Sequence, residues 1–121
     1  MISLQGCSIL VVDDEPLIAL EVADALTKAG AEVETTHTIR NAVALAENKR
    51  FSAAILDQAL GDGDSSALRE KLCELGVPFL IYSGLEDRGN CNAVIQISKP
   101  ATSAMLLSAV GRLLNGKSPL T

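Results

Sequence analysis

The sequence predicts an α/β domain in which helices cover both faces of a doubly wound, five-stranded parallel sheet. Three observations lead there. Short, continuous apolar runs recur along the chain, stretches with helical apolar spacing separate them, and 121 residues fit one domain with little room for a second. The expected organisation is therefore a single domain over 1–121.

The elements follow in order. Ile9-Leu10-Val11-Val12 is apolar throughout, as a strand covered on both faces requires. Behind it, Pro16 suits a first helical turn, Ile18, Val22, Ala25, Leu26 and Ala29 share one face, and Gly30 marks a stop. Glu32-Val33-Glu34-Thr35 alternates strictly, which fits a less fully covered strand. Ile39, Ala42, Val43 and Ala46 form the next helical stripe, with Thr38 as N-cap. Ala53-Ala54-Ile55-Leu56 is the third strand; Leu68, Leu72 and Leu75 mark a helix between Ser65-Ser66 and Gly76; Phe79-Leu80-Ile81-Tyr82 is the fourth strand. Residues 84 to 98 must then hold a turn, a helix and the last strand, Val94-Ile95-Gln96-Ile97. The stretch left for that helix, Leu85 to Asn92, contains Gly89, Asn90 and Asn92, all poor helix residues, so a short or degenerate fourth helix is expected. Leu106, Ala109, Val110, Leu113 and Leu114 form the clearest stripe, opened by Thr102-Ser103 and closed by Asn115-Gly116.

The alternating second strand and the polar break in the fifth place these two at the sheet edges. That arrangement is compatible with the flavodoxin-like (βα)5 order 2-1-3-4-5 and right-handed crossovers. Ligands of such sheets bind beyond the carboxyl ends of the strands, near the switch point between strands one and three.

Composition narrows the function. With no Trp, one Tyr and two Phe, the core must be aliphatic. A net charge of −5 opposes direct binding to a phosphate backbone, so no nucleic-acid contact is expected. Cys7, Cys73 and Cys91 form no C-x-x-C pair, and free thiols in a reducing compartment are the simplest account. The N-terminus lacks an export signal and no apolar run approaches bilayer length, so a cytoplasmic location without membrane contact is expected.

The residues at the strand ends carry the chemistry. Asp13-Asp14-Glu15 follow the first strand, Asp57 ends the third, Ser83 the fourth, and Lys99-Pro100 follow the fifth. Each alone reads more readily as a turn, cap or loop residue. Together they deliver polar groups from four strands to one rim. Carboxylates about 4 Å apart repel by roughly 4 kcal/mol at a surface-like dielectric, so a converging set takes up protons or a cation. Mg²⁺, with one or two carboxylates, waters and a phosphate oxygen, suits the site; Lys99 and Ser83 supply a cation and a hydroxyl for phosphoryl oxygens. His37, the single histidine, reads as a solvated loop or helix-start residue, and no Ser-His-Asp or Cys-His set can be assembled around it.

These residues resemble the receiver domains of two-component response regulators, through Ile9 to Pro16 with its Asp13-Asp14-Glu15, Ile55-Leu56-Asp57, Tyr82-Ser83-Gly84 and Ser98-Lys99-Pro100. Gly76-Val77-Pro78-Phe79 and Leu17 to Glu21 look like the stand-alone and hybrid-kinase receivers of alphaproteobacteria. The resemblance implies a phosphorelay signalling module that is not an enzyme in its own right. It implies Asp57 as acceptor of a phosphoryl group from a histidine kinase or histidine phosphotransferase, and Mg²⁺ on Asp13, Asp14, Asp57 and the backbone carbonyl of Ala59. It further implies Ser83 and Lys99 as phosphoryl-binding groups, a cis peptide before Pro100, and a homodimer as one option for the output surface. One departure stands out: the switch position in the fifth strand, usually Tyr or Phe, is Gln96. With the reduced fourth helix and the Gly- and Asp-rich loop after Asp57, this leads to an atypical output surface beside an intact phosphorylation site. Two rivals remain at this level. One is a receiver-like binding module that is never phosphorylated and works through constitutive contacts. The other is a small phosphatase or flavin-binding protein, which the missing Gly-rich loop after the first strand disfavours.

Overall fold

A computed structural model of the chain describes residues 4–57, 66–83, 95–98 and 103–115. Its elements run β1 (Ser8–Val12), α1 (Pro16–Lys28), β2 (Glu32–Thr36), α2 (Ile39–Asn48), β3 (Ala53–Asp57), α3 (Ser66–Leu75), β4 (Phe79–Ser83), β5 (Ile95–Ser98) and α4 (Ser103–Asn115). The short helix expected over 85–92 lies outside the described residues, so α4 is the C-terminal helix of the sequence reading.

All four strand pairings are parallel, and the sheet order is β2-β1-β3-β4-β5. The alternating strand and the one with a polar break are thus the two edges, as expected. Strand alternation sends side chains to two separate cores. Ile9, Val11, Ala53, Ile55 and Leu80 pack under α1 and α4, against Val22, Leu26, Leu106 and Val110. Leu10, Val12, Ala54, Leu56, Phe79 and Ile81 face the other way, against Ile39 and Ala42 of α2 and Leu68 and Leu72 of α3. Every residue of β3 is buried, which explains its continuous apolar run. At roughly 1.5–3 kcal/mol per fully buried large aliphatic side chain, these two layers are the main stabilising term.

Helix punctuation follows the expected residues. Thr38 Oγ1 accepts the Asn41 N–H at 3.1 Å and caps α2. At the end of α1 the Gly30 N–H donates to the Thr27 carbonyl and the Ala31 N–H to the Leu26 carbonyl. Gly76 and Val77 repeat this double bond onto Cys73 and Leu72 at the end of α3. Both are Schellman closures, and each needs a left-handed residue: Gly30 has φ +105° and Gly76 φ +73°. One expected core residue departs. Leu75 is 44% exposed while Leu68 and Leu72 are fully buried. It is the last residue of α3, where the chain turns away at Gly76, and it borders an open cleft with Glu47, Phe51 and Val77.

Candidate functional site

Parallel strands of similar length end together, and that places the acidic residues. Val12 is in register with Thr36 of β2 and with Leu56 of β3, so Asp13 and Asp57 are the next residues on neighbouring central strands. The pairing of β1 with β2 runs one residue further, where the Asp13 N–H donates to the Thr36 carbonyl at 3.1 Å. β1 then gives way to α1 within three residues. The Glu15 N–H donates to Asp13 Oδ1 at 2.9 Å, and the Ile18 and Ala19 N–H groups donate to the Glu15 carbonyl. Glu15 holds the N-cap position without a side-chain capping bond, and Pro16 starts the helix. The acidic run is therefore not spent on capping α1, as the plainest reading of Asp-Asp-Glu before a proline would have it.

Carboxylate oxygens of Asp13, Asp14 and Asp57 lie within 4.8 Å of one another. Asp13 and Asp57 are buried, at 3% and 6% exposure, while Asp14 is exposed. At that separation each ionised pair repels by roughly 3–4 kcal/mol with an effective dielectric near 20. Among the described residues no buried side-chain oxygen or nitrogen lacks a hydrogen-bond partner. Hydrogen bonds leave the negative charge in place. Asp13 Oδ1 accepts the Glu15 N–H, and a carboxylate offers about four lone-pair directions, more than that one bond uses. Three hard oxygen donors with one exposed member fit a divalent ion that keeps several waters, which is the coordination Mg²⁺ favours.

The other expected site residues divide. The β4 backbone brings Ser83 to the same rim: Tyr82 is in register with Asp57, and Ser83 follows it. Gln96 lies in β5 beside Ile81, one position short of Tyr82's partner Ile97. Lys99, Pro100 and Ala59 lie outside the described residues, as does the loop 58–64.

One neighbour of the cluster is missing from the sequence reading. His37 Nδ1 lies 3.0 Å from the Asp13 carbonyl oxygen. A carbonyl only accepts, so Nδ1 must carry the proton and donate. His37 is exposed, as a loop residue should be, yet its ring holds the backbone of an acidic residue in the cluster. The signal was present once register is considered. If β2 flanks β1, the residue just past β2 adjoins the residue just past β1.

Comparison with known proteins agrees with this rim. Residues 9–110 match the family model of the response regulator receiver domain. The transcriptional regulatory protein TcrA of Mycobacterium tuberculosis is 40% identical over 82 residues, covering 66% of this chain and 32% of TcrA. The chain thus spans about a third of the length of that relative. The receiver domain protein (CheY-like) of Methanospirillum hungatei JF-1 superimposes with a TM-score of 0.85 at 29% identity, covering 95% of this chain and 97% of that one. The receiver domain of the sensor histidine kinase PA1611 of Pseudomonas aeruginosa has the same fold, with a TM-score of 0.82 at 23% identity over 91% and 98% of the two chains. Its structure holds a magnesium ion in the active-site cleft. The chain belongs to the response regulator receiver domains of two-component signalling.

Proposed function

We propose that this receiver takes a phosphoryl group onto Asp57 from a phosphohistidine donor, on a histidine kinase or histidine phosphotransferase, and that residues 1–121 act as one domain. The observation that carries this reading is the convergence of three carboxylates, two of them buried, at the carboxyl end of β1 and β3. A structural role does not call for such a cluster, because like charges in a poorly solvated site oppose folding.

Asp13, Asp14 and Asp57 would hold Mg²⁺, joined by the Ala59 carbonyl; bound there, the ion neutralises charge on the transferring oxygens. An Asp57 carboxylate oxygen attacks phosphorus, an O–P bond forms, and the donor's N–P bond breaks with its electron pair retained by the imidazole nitrogen. Asp13 keeps its orientation through its bonds to Thr36, Glu15 and His37. Ser83 and Lys99 supply the hydroxyl and the ammonium for the phosphoryl oxygens. The domain works in the cytoplasm as a signalling module; among the described residues no helix is long and apolar enough to cross a membrane. With Gln96 at the position of the usual aromatic switch, output passes through an atypical surface.

Incubation with Mg²⁺ and a small phosphodonor such as phosphoramidate, followed by intact-mass measurement, tests the reading. One added phosphoryl group is expected on the wild type and none on Asp57→Asn. Absence of label on both, with no Mg²⁺-dependent change in the solution spectrum when a phosphoryl mimic is added, would favour the constitutive binding module instead.

A further inference from the structure

We infer that His37 is a positioning residue for the metal site, acting through its Nδ1–H on the peptide between Asp13 and Asp14. The inference rests on the Mg²⁺ site proposed above.

The Asp13 carbonyl belongs to the peptide plane that joins the two adjacent acidic residues. Its orientation sets ψ of Asp13 and φ of Asp14 together, and hence the directions in which both side chains leave the backbone. The preceding plane is already held, because the Asp13 N–H donates to the Thr36 carbonyl at 3.1 Å. His37 holds the following plane at 3.0 Å. Both bonds come from consecutive residues at the end of β2, and the next residue, Thr38, caps α2. Three successive residues thus tie the acidic turn to an edge strand and to the start of a helix.

Such a tie matters most before the metal arrives. Without a cation, the carboxylates of Asp13, Asp14 and Asp57 repel one another, and rotating the Asp13–Asp14 peptide is one way to spread them apart. A donor fixed on the carbonyl resists that rotation and keeps the oxygens gathered for the ion. Groups behind metal ligands commonly tune affinity in this manner. The Nδ1–H donor is present in the neutral Nδ1–H tautomer and in the imidazolium alike, so its part is geometric and does not require a positive charge.

Two measurements test the assignment. Imidazole ¹⁵N shifts of the metal-free protein at alkaline pH should show the proton on Nδ1, the less common tautomer of a free neutral imidazole. A proton on Nε2 would overturn the hydrogen bond and the inference with it, whatever Mg²⁺ does. Calorimetric Mg²⁺ titration should then show His37→Ala binding roughly three- to tenfold more weakly than wild type, the range one hydrogen bond supports. His37→Asn, whose amide N–H can take the place of Nδ1–H, should recover most of that loss. Equal affinity in wild type and His37→Ala, or equal loss in both variants, would overturn the role. If the wild type itself binds no Mg²⁺, the site proposal fails and this inference falls with it. That result is distinct from a wild type that binds and a variant that binds equally well.

Discussion

The two ends of the sheet treat charge in opposite ways. At the carboxyl end, Asp13, Asp14 and Asp57 crowd like charges together, and two of the three are buried. Toward the amino end, where α2 and α3 finish, Lys71 Nζ lies 3.1 Å from Glu47 and 3.6 Å from Glu74, with both acids half or more exposed. The second arrangement is what a surface does when only solubility and helix packing matter, and exposed pairs of that kind add little stability. The first works against folding unless something positive joins it. The contrast teaches that proximity of charges alone does not mark a functional site. Sign and burial taken together do.

The largest effect expected from this difference is at Asp57. In metal-free buffer, Asp57→Asn should be more stable than wild type by roughly 1–3 kcal/mol, since one of the repelling charges is removed. Denaturation at rising Mg²⁺ should close that gap, because an ion bound only by the folded acidic form stabilises it by about 1.4 kcal/mol at ten times its Kd. A variant less stable than wild type without Mg²⁺ would break the comparison at its acidic end.

Next comes Gly30, at the amino end. Its φ of +105° disfavours any side chain, and a Cβ there would meet Gln5 Cγ at 2.8 Å and the Gln5 backbone at 3.1 and 3.2 Å. Gly30→Ala should cost about 2 kcal/mol in urea denaturation, with Mg²⁺ affinity unchanged. A large change in affinity would show that the two ends are coupled. Thr38→Ala should cost about 1 kcal/mol through the lost cap on Asn41. Because Thr38 follows His37, a simultaneous fall in Mg²⁺ affinity would sharpen the comparison by extending the metal site's support into α2.

The smallest effect is at Lys71. Its hydrogen bond and attraction to Glu47, then Glu74, hold its pKa above the usual 10.5. A raised lysine pKa means that the stabilising contribution is complete below pH 10.5 and fades as pH rises through the folded-state value. Lys71→Met should leave the thermal midpoint at pH 7 within scatter, and only the alkaline limb of the stability profile should shift. A clear loss at neutral pH would mean that this end depends on its charges after all.

Much of this was legible in the residues. Apolar runs located β1, β3 and β4, alternation marked β2 as an edge, and Thr38, Gly30 and Gly76 punctuated helices where expected. Those features depend on neighbours in sequence, through periodicity and backbone preference. Leu75 was misjudged because its stripe continued the helix pattern up to the last residue, whereas burial there depends on what lies across the cleft. His37 escaped for a similar reason: composition makes a lone histidine in a polar loop unremarkable, and its partner is 24 residues away.

By itself, the sequence determined the kind of fold, the edge strands and the set of acidic residues at one rim, because strand ends and hydrophobic period are local properties. Only the tertiary structure decided that Asp13, Asp14 and Asp57 meet within 4.8 Å, with two shielded from water, and that a histidine ring just past β2 grips the backbone between the first two. The physical reason is that electrostatic repulsion and hydrogen bonding depend on distance and burial. Both are set by the parallel register of β2, β1 and β3.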